Sequence, residues 1–172
     1  MTQENPAPVN TNSASLIHAE LHAALETQIG HELRASQQYL AISIAMHAQN
    51  LDGFADFFER QSEEERAHAL KIIHFLNDLG QPAKLGALEA VKTEFTAVLE
   101  ALQTSLEYER RVTQSFKRMA SLALERHDHI AQQFLGWFLI EQVEEEGLFS
   151  RLIAILESGL NPFQAQAMLS KD

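Results

Sequence analysis

Gln61-Ser62-Glu63-Glu64-Glu65-Arg66-Ala67-His68 lies inside a run of helical periodicity that opens near Phe54. At 3.6 residues per turn, the apolar side of that run reads Phe54, Phe58, Gln61, Glu65, His68, Ile72, Phe75, Leu79. The stripe that should face a core therefore carries a carboxylate and an imidazole, one turn apart, in its middle. An ionised carboxylate in a dry interior costs several kcal/mol unless it is paired or binds a metal. Glu-x-x-His is also the spacing that aims two side chains of one helix at one ion. Glu63 falls on the solvent side.

Upstream, Ile17, Leu21, Leu25, Ile29, Glu32, Ser36, Tyr39 and Ser43 follow the same steps of three and four, with Ser13 or Ser15 placed as a cap. This first helix ends near Gln49-Asn50. The break Asn50-Leu51-Asp52-Gly53 is so short that the second helix must run back antiparallel. Downstream, Gly80 is placed to terminate the second helix and Pro82 to block its continuation.

From Gly80 to about Phe95 no period is sustained, and Pro82 and Gly86 interrupt the chain. A helix of about 27 residues is roughly 40 Å long, and about 15 extended residues cover roughly 50 Å. The linker can thus travel the whole bundle, so a long crossover with parallel second and third helices is expected. The third helix is predicted from about Thr96 to Arg126, with Leu99, Leu102, Leu106, Glu109, Thr113, Phe116 and Ala120 on its stripe. His127-Asp128-His129 makes a tight turn into a fourth helix. Its stripe reads Phe134, Phe138, Glu141, Glu145, Leu148, Leu152, Ile155, with Trp137 beside it. Gly159 stops that helix, and Asn161-Pro162 reads as N-cap and first residue of a short fifth helix, Phe163 to about Ser170.

The expected fold is all-α: a four-helix bundle with a long crossover between helices two and three and a short fifth helix. Residues 14–172 form its single domain. Residues 1–13, rich in Pro, Asn and Thr, read as a disordered tail.

The 172 residues contain no cysteine, which excludes disulfides, Cys-ligated zinc, iron–sulfur clusters and Cys nucleophiles. A formal charge of −11 argues against nucleic acid as a partner and suits the handling of cations. No apolar run reaches membrane-spanning length, and the polar start lacks a signal pattern, so a cytoplasmic protein with no membrane partner is expected.

Glu32, Glu65, Glu109 and the pair Glu141 and Glu145 all fall near the middle of their helices. In an up-down bundle with a crossover, four midpoints meet at one level. A lone Glu on a stripe is usually a boundary residue with a buried stem and a wet head. Likewise, a lone His68 is more often a hydrogen-bonded core histidine. Four stripes with carboxylates at matched depth are not explained that way, because so many core charges without a metal would oppose folding. Hard oxygen ligands with one imidazole suit iron, manganese or zinc. His18, His22, His31, His47, His74, His127 and His129 lie off the stripes or near helix ends and are assigned to the surface.

On these residues the chain resembles the prokaryotic non-haem ferritins over essentially everything after the tail. The resemblance implies a ferritin-like bundle, a hollow homo-oligomeric shell of roughly 24 subunits, and iron storage. It also implies ferroxidase activity, the oxidation of Fe(II) with dioxygen or peroxide at a di-iron centre within each subunit. Glu32 is similar to the first-helix ligand of one iron and His68 to its imidazole ligand. Glu65 is similar to the bridging carboxylate, and Glu109 and Glu145 to the ligands of the second iron. Glu64, Glu141 and Glu144, with Glu145, resemble a third iron site. Tyr39 matches the family's tyrosine beside the centre, Trp137 its nearby tryptophan, and Gln142 a hydrogen-bonding glutamine.

The departures sort the relatives. Glu141 is followed three residues on by Glu144 rather than His, and Arg66 stands where a bacterioferritin carries its haem-ligand Met, so no haem is expected. A rubrerythrin would need that second His. Animal ferritins carry carboxylates where this chain has Gln132 and Leu135. The alternative reading is a non-storage di-iron oxidase or peroxidase of the same superfamily, acting in iron or oxidative-stress defence.

Overall fold

A computed structural model describes residues 16–169 of the chain. The tail over 1–13, the caps expected at Ser13 and Ser15, and Ser170 lie outside the described residues. Four long helices, α1 (Ala19–His47), α2 (Asp52–Asp78), α3 (Val98–Glu125) and α4 (His129–Glu157), are followed by a short α5 (Pro162–Ala165) and a 3-10 turn at Gln166–Met168. No helix among the described residues is long and apolar enough to cross a membrane.

Each helix ends for a local reason. After α1, Asn50 takes a left-handed conformation (φ 59°), while Asn50 N–H bonds His47 O and Leu51 N–H bonds Met46 O, both at 3.0 Å. Gly80 (φ 71°) closes α2 in the same way, with Gln81 N–H reaching back to Leu76 O at 2.9 Å. His127 (φ 53°) closes α3, and the next residue, Asp128, caps α4 by accepting from Ala131 N–H at 3.0 Å. The other Asp128 oxygen accepts His18 N–H at 2.9 Å, which ties the start of α1 to the α3–α4 corner. The first helix is thus capped by His18, whose ring accepts from Glu20 N–H, and starts later than a serine cap would allow.

Residues 79–97 cross the bundle without regular structure. The crossover delivers α3 beside the end of α1, where Gln49 Nε2 donates to Phe95 O at 2.9 Å. Helices α1 and α3 are therefore antiparallel and α2 and α3 parallel, as the linker length requires. Asn161 and Gln164 form a reciprocal capping box on α5, with Pro162 as its first residue. The turn after α5 docks on the start of α2, where Gly53 N–H donates to Gln166 Oε1 at 3.0 Å.

The apolar core is split into two clusters. One gathers Ala35 to Met46, Leu51 to Phe58, Val98 to Leu106, Phe149 and Leu152, and the other gathers Ile17 to Ile29, Ala69 to Leu76, Val112 to Ala123 and Ala131 to Phe138. In every helix the residues between the clusters are the buried polar ones. The expected stripes of α1 and of the middle of α2 are buried as read, whereas Phe75 and Leu79 are half-buried and Leu76 faces the core instead. Helix α4 differs more. Its buried line is Ala131, Leu135, Phe138, Gln142, Glu145, Phe149 and Leu152, so Phe134, Glu141, Leu148 and Ile155 sit at its edge.

Candidate metal centre

Between the two clusters, Glu32 of α1, Glu65 and His68 of α2, Glu109 of α3, and Glu145 of α4 are all at most 5% exposed. Continuous apolar packing above and below fixes this layer, because each helix must keep its hydrophobic stripe in register on both sides of it.

Ligand-type atoms of Glu32, Glu65 and His68 lie within 4.8 Å of one another, a group that could hold one metal ion. A second such group, Glu64, His68 and Glu141, shares the imidazole. The two ring nitrogens divide between them: Nδ1 lies 3.8 Å from Glu65 Oε2, and Nε2 lies 3.9 Å from Glu141 Oε2. The ring is held edge-on against Trp137 and Phe138, with centroids at 5.5 and 5.9 Å. Glu144 is exposed and belongs to neither group, and Glu63 points to solvent.

Hydrogen bonds orient some carboxylates and leave others bare. Gln28 Nε2 donates to Glu32 Oε1 at 2.7 Å, and Glu32 and Glu65 are hydrogen-bonded to each other. Tyr39 donates its phenol to Glu109 Oε1, and Gln142 Nε2 donates to Glu109 Oε2 at 3.2 Å. Thr113 Oγ1 lies 2.9 Å from Gln142 Oε1, fixing the amide so that its NH₂ faces Glu109. Glu145 Oε2 is buried with no hydrogen-bond partner.

The electrostatics follow from crowding in a dry layer. Burial first, and then the Glu65 charge, hold the Glu32 carboxyl well above the usual range. Burial and the Glu109 charge do the same to Glu65. Glu109 rises to about 7 through burial, restrained by the Tyr39 hydrogen bond. Glu145 rises to about 9 through burial and then the charges of Glu109, Glu64, Glu141 and Glu144. Tyr39 is pushed up by burial and by Glu109. Without a cation the layer holds protons that exposed carboxyls would have lost, and a divalent ion would replace them.

Gln28 and Ser62, which hydrogen-bonds Ser36 at 2.9 Å, are not read from the sequence, and Thr113 reads as a stripe residue of α3 but not as part of the site. Only Gln28 had a usable signal, its i, i+4 relation to Glu32. Of the seven histidines assigned to the surface, five are exposed and His18 and His22 are half-buried, with His22 Nε2 3.0 Å from Gln81 O.

The chain is similar to known proteins in sequence and in fold. The chain is 41% identical over 141 residues to a bacterial non-heme ferritin of Staphylococcus epidermidis, covering 82% of this chain and 85% of the relative. It is 36% identical over 163 residues to ferritin BfrB of Mycolicibacterium smegmatis, covering 94% and 90%. Among solved structures, an open pore ferritin from Archaeoglobus fulgidus superposes with a TM-score of 0.87 at 28% identity, covering 91% of this chain and 99% of that one. The ferritin-like domain family matches residues 22–158, a span that contains all four long helices' contributions to the carboxylate layer. By sequence and by fold, the chain belongs to the ferritin-like domain family.

Proposed function

We propose that the protein is an iron-storage ferritin with ferroxidase activity. Two Fe(II) ions give one electron each to dioxygen, which takes up two protons and leaves as hydrogen peroxide, and the ferric product is stored as mineral inside a homo-oligomeric shell of roughly 24 subunits. The same reading places it in the cytoplasm. One observation carries the proposal: four helices converge buried carboxylates and one imidazole on a single level between two apolar clusters, and one of those carboxylates has an oxygen with no partner. A purely structural bundle has no use for such a layer.

Glu32 and His68 would hold one ion and Glu109 and Glu145 the other, with the Glu65 carboxylate shared between the two. Glu64, Glu141 and Glu144, with Glu145, take a third ion toward the α2–α4 surface. The carboxylates give up their protons as cations arrive and offset the growing positive charge on oxidation, which favours Fe(III). Tyr39 and Gln142 hold Glu109 in one orientation. The packed aromatics about His68 keep the imidazole in place.

The test is Fe(II) oxidation in air, followed by stopped-flow absorbance and oxygen uptake. Glu65→Ala is expected to lose the fast phase by more than tenfold, and an unchanged rate would refute the site. Glu144→Ala is expected to spare the first oxidation and alter later turnovers.

A further inference from the structure

A crevice of about 140 Å³ opens between α1 and α3, on the other side of the bundle from Glu64 and Glu141. Three cations line it, Arg34, Lys92 and Arg111, and no carboxylate does, in a chain with 24 acidic and 13 basic residues. Tyr39 and Tyr108 also line it. The crevice therefore borders Tyr39, the residue whose phenol holds Glu109.

The position of Lys92 is fixed by the fold. Gln38 is buried, and its side chain clamps the crossover with two hydrogen bonds, Nε2 to Lys92 O at 2.7 Å and Oε1 from Lys92 N–H at 2.9 Å. Arg34 Nη2 donates to Ala90 O, two residues earlier, at 3.4 Å. The crossover is thereby pinned across the crevice with Lys92 at its mouth.

Each cation has an acidic neighbour outside the lining: Glu100 at 2.5 Å from Lys92, Glu107 at 2.6 Å from Arg111, and Glu89 at 3.7 Å from Arg34 Nε. The first two are exposed pairs, which contribute little and re-form readily. The third is too long for a hydrogen bond, and Arg34 Nε is buried without a hydrogen-bond partner. A buried guanidinium donor left unmade is costly and calls for an acceptor.

We infer that this crevice binds one small oxyanion per subunit, such as inorganic phosphate, between Arg34, Lys92 and Arg111. Guanidinium groups present paired donors that suit oxyanion geometry, and the ammonium adds a point charge at the mouth. The volume accommodates a free tetrahedral anion and leaves no room for a ribose and base. Bound there, the anion lies one side chain, Tyr39, away from the carboxylate layer. This inference does not rest on iron chemistry.

The experiment is calorimetric and ³¹P NMR titration of the metal-free, full-length protein with inorganic phosphate. One saturable site per subunit is expected. The double variant Lys92→Ala/Arg111→Ala, at two exposed positions, should weaken it at least tenfold. Arg151→Ala, exposed on α4, should leave it unchanged. AMP should fail to bind. No saturable binding by the native protein, equal binding by the double variant, or AMP binding as tight as phosphate would each overturn the inference.

Discussion

Tyr39 on α1 hydrogen-bonds Glu109 on α3, 70 residues away, across the middle of the bundle. Gln142 on α4 holds the second oxygen of the same carboxylate. Glu109 is thus fixed on both sides, whereas Glu145 has one oxygen with no partner. Their acidities differ as well: burial raises both, but the Tyr39 and Gln142 hydrogen bonds hold Glu109 to about 7, while the charges of Glu109, Glu64, Glu141 and Glu144 push Glu145 up to about 9. One carboxylate is oriented in advance, and the other is left to be satisfied by a cation.

Tyr39→Phe should separate orientation from ligation. It deletes the phenol without emptying the aromatic packing against Phe58 and Phe149. Loss of a buried hydrogen bond to a carboxylate should lower the stability of the metal-free subunit by about 2 kcal/mol. Oxidation should slow several-fold while the number of ions bound stays the same. Metal titration beside stopped-flow kinetics checks both.

The pH dependence has a definite sign. Glu32, Glu65, Glu109 and Glu145 all bind protons more tightly in the fold than in the unfolded chain. The folded state therefore holds more protons above about pH 4.5, and its stability falls as pH rises through about 7 for Glu109 and about 9 for Glu145. Metal-free protein should melt at a lower temperature at pH 9 than at pH 6. Zinc should reverse the trend and release protons on binding, measurable in weakly buffered solution. A flat profile would contradict the arrangement.

Glu145→Gln should move stability and metal affinity in opposite directions. At pH 9.5 the amide removes a buried charge and should raise the melting temperature of the metal-free protein, while near pH 6, where the carboxyl is already protonated, it should change little. Metal affinity should fall at least tenfold at both pH values. Calorimetric melting and zinc titration of the variant give both quantities.

Gly53→Ala tests the far end of the bundle. A Cβ there would stand 2.9 Å from Gln166 Cβ, closer than the turn after α5 can tolerate. The helix-propensity gain of about 1 kcal/mol is offset by the displaced turn. Residues 160–169 should become more susceptible to proteolysis, with the first oxidation unchanged.

Glu32, Glu65, His68 and Glu109 were legible because each interrupts an apolar stripe at the same depth, which periodicity exposes directly. The crossover was legible from length alone, since residues 80–95 are too many for a hairpin. The face of α4 was harder to read. Glu141, Glu144, Glu145 and Glu146 lie too close together for spacing to choose among them, and the packing turns Gln142 inward and leaves Glu141 at the edge. Gln28 was signalled only by its i, i+4 relation to Glu32, and Thr113, though on the read stripe of α3, carried nothing that marked it as a hydrogen-bonding member of the site. The start of α1 was misplaced because a serine upstream looks like a cap, while the Asp128 bond to His18 N–H fixes where the helix begins.

The most direct measurement adds a large excess of Fe(II) in air and follows iron and protein together through size exclusion. Storage by a ferritin shell predicts iron co-eluting with protein near a mass on the order of 460 kDa, for roughly 24 subunits of 19.3 kDa. Iron oxidised quickly but precipitating away from a small oligomer would contradict storage, and oxidation no faster than in buffer would contradict the metal centre itself.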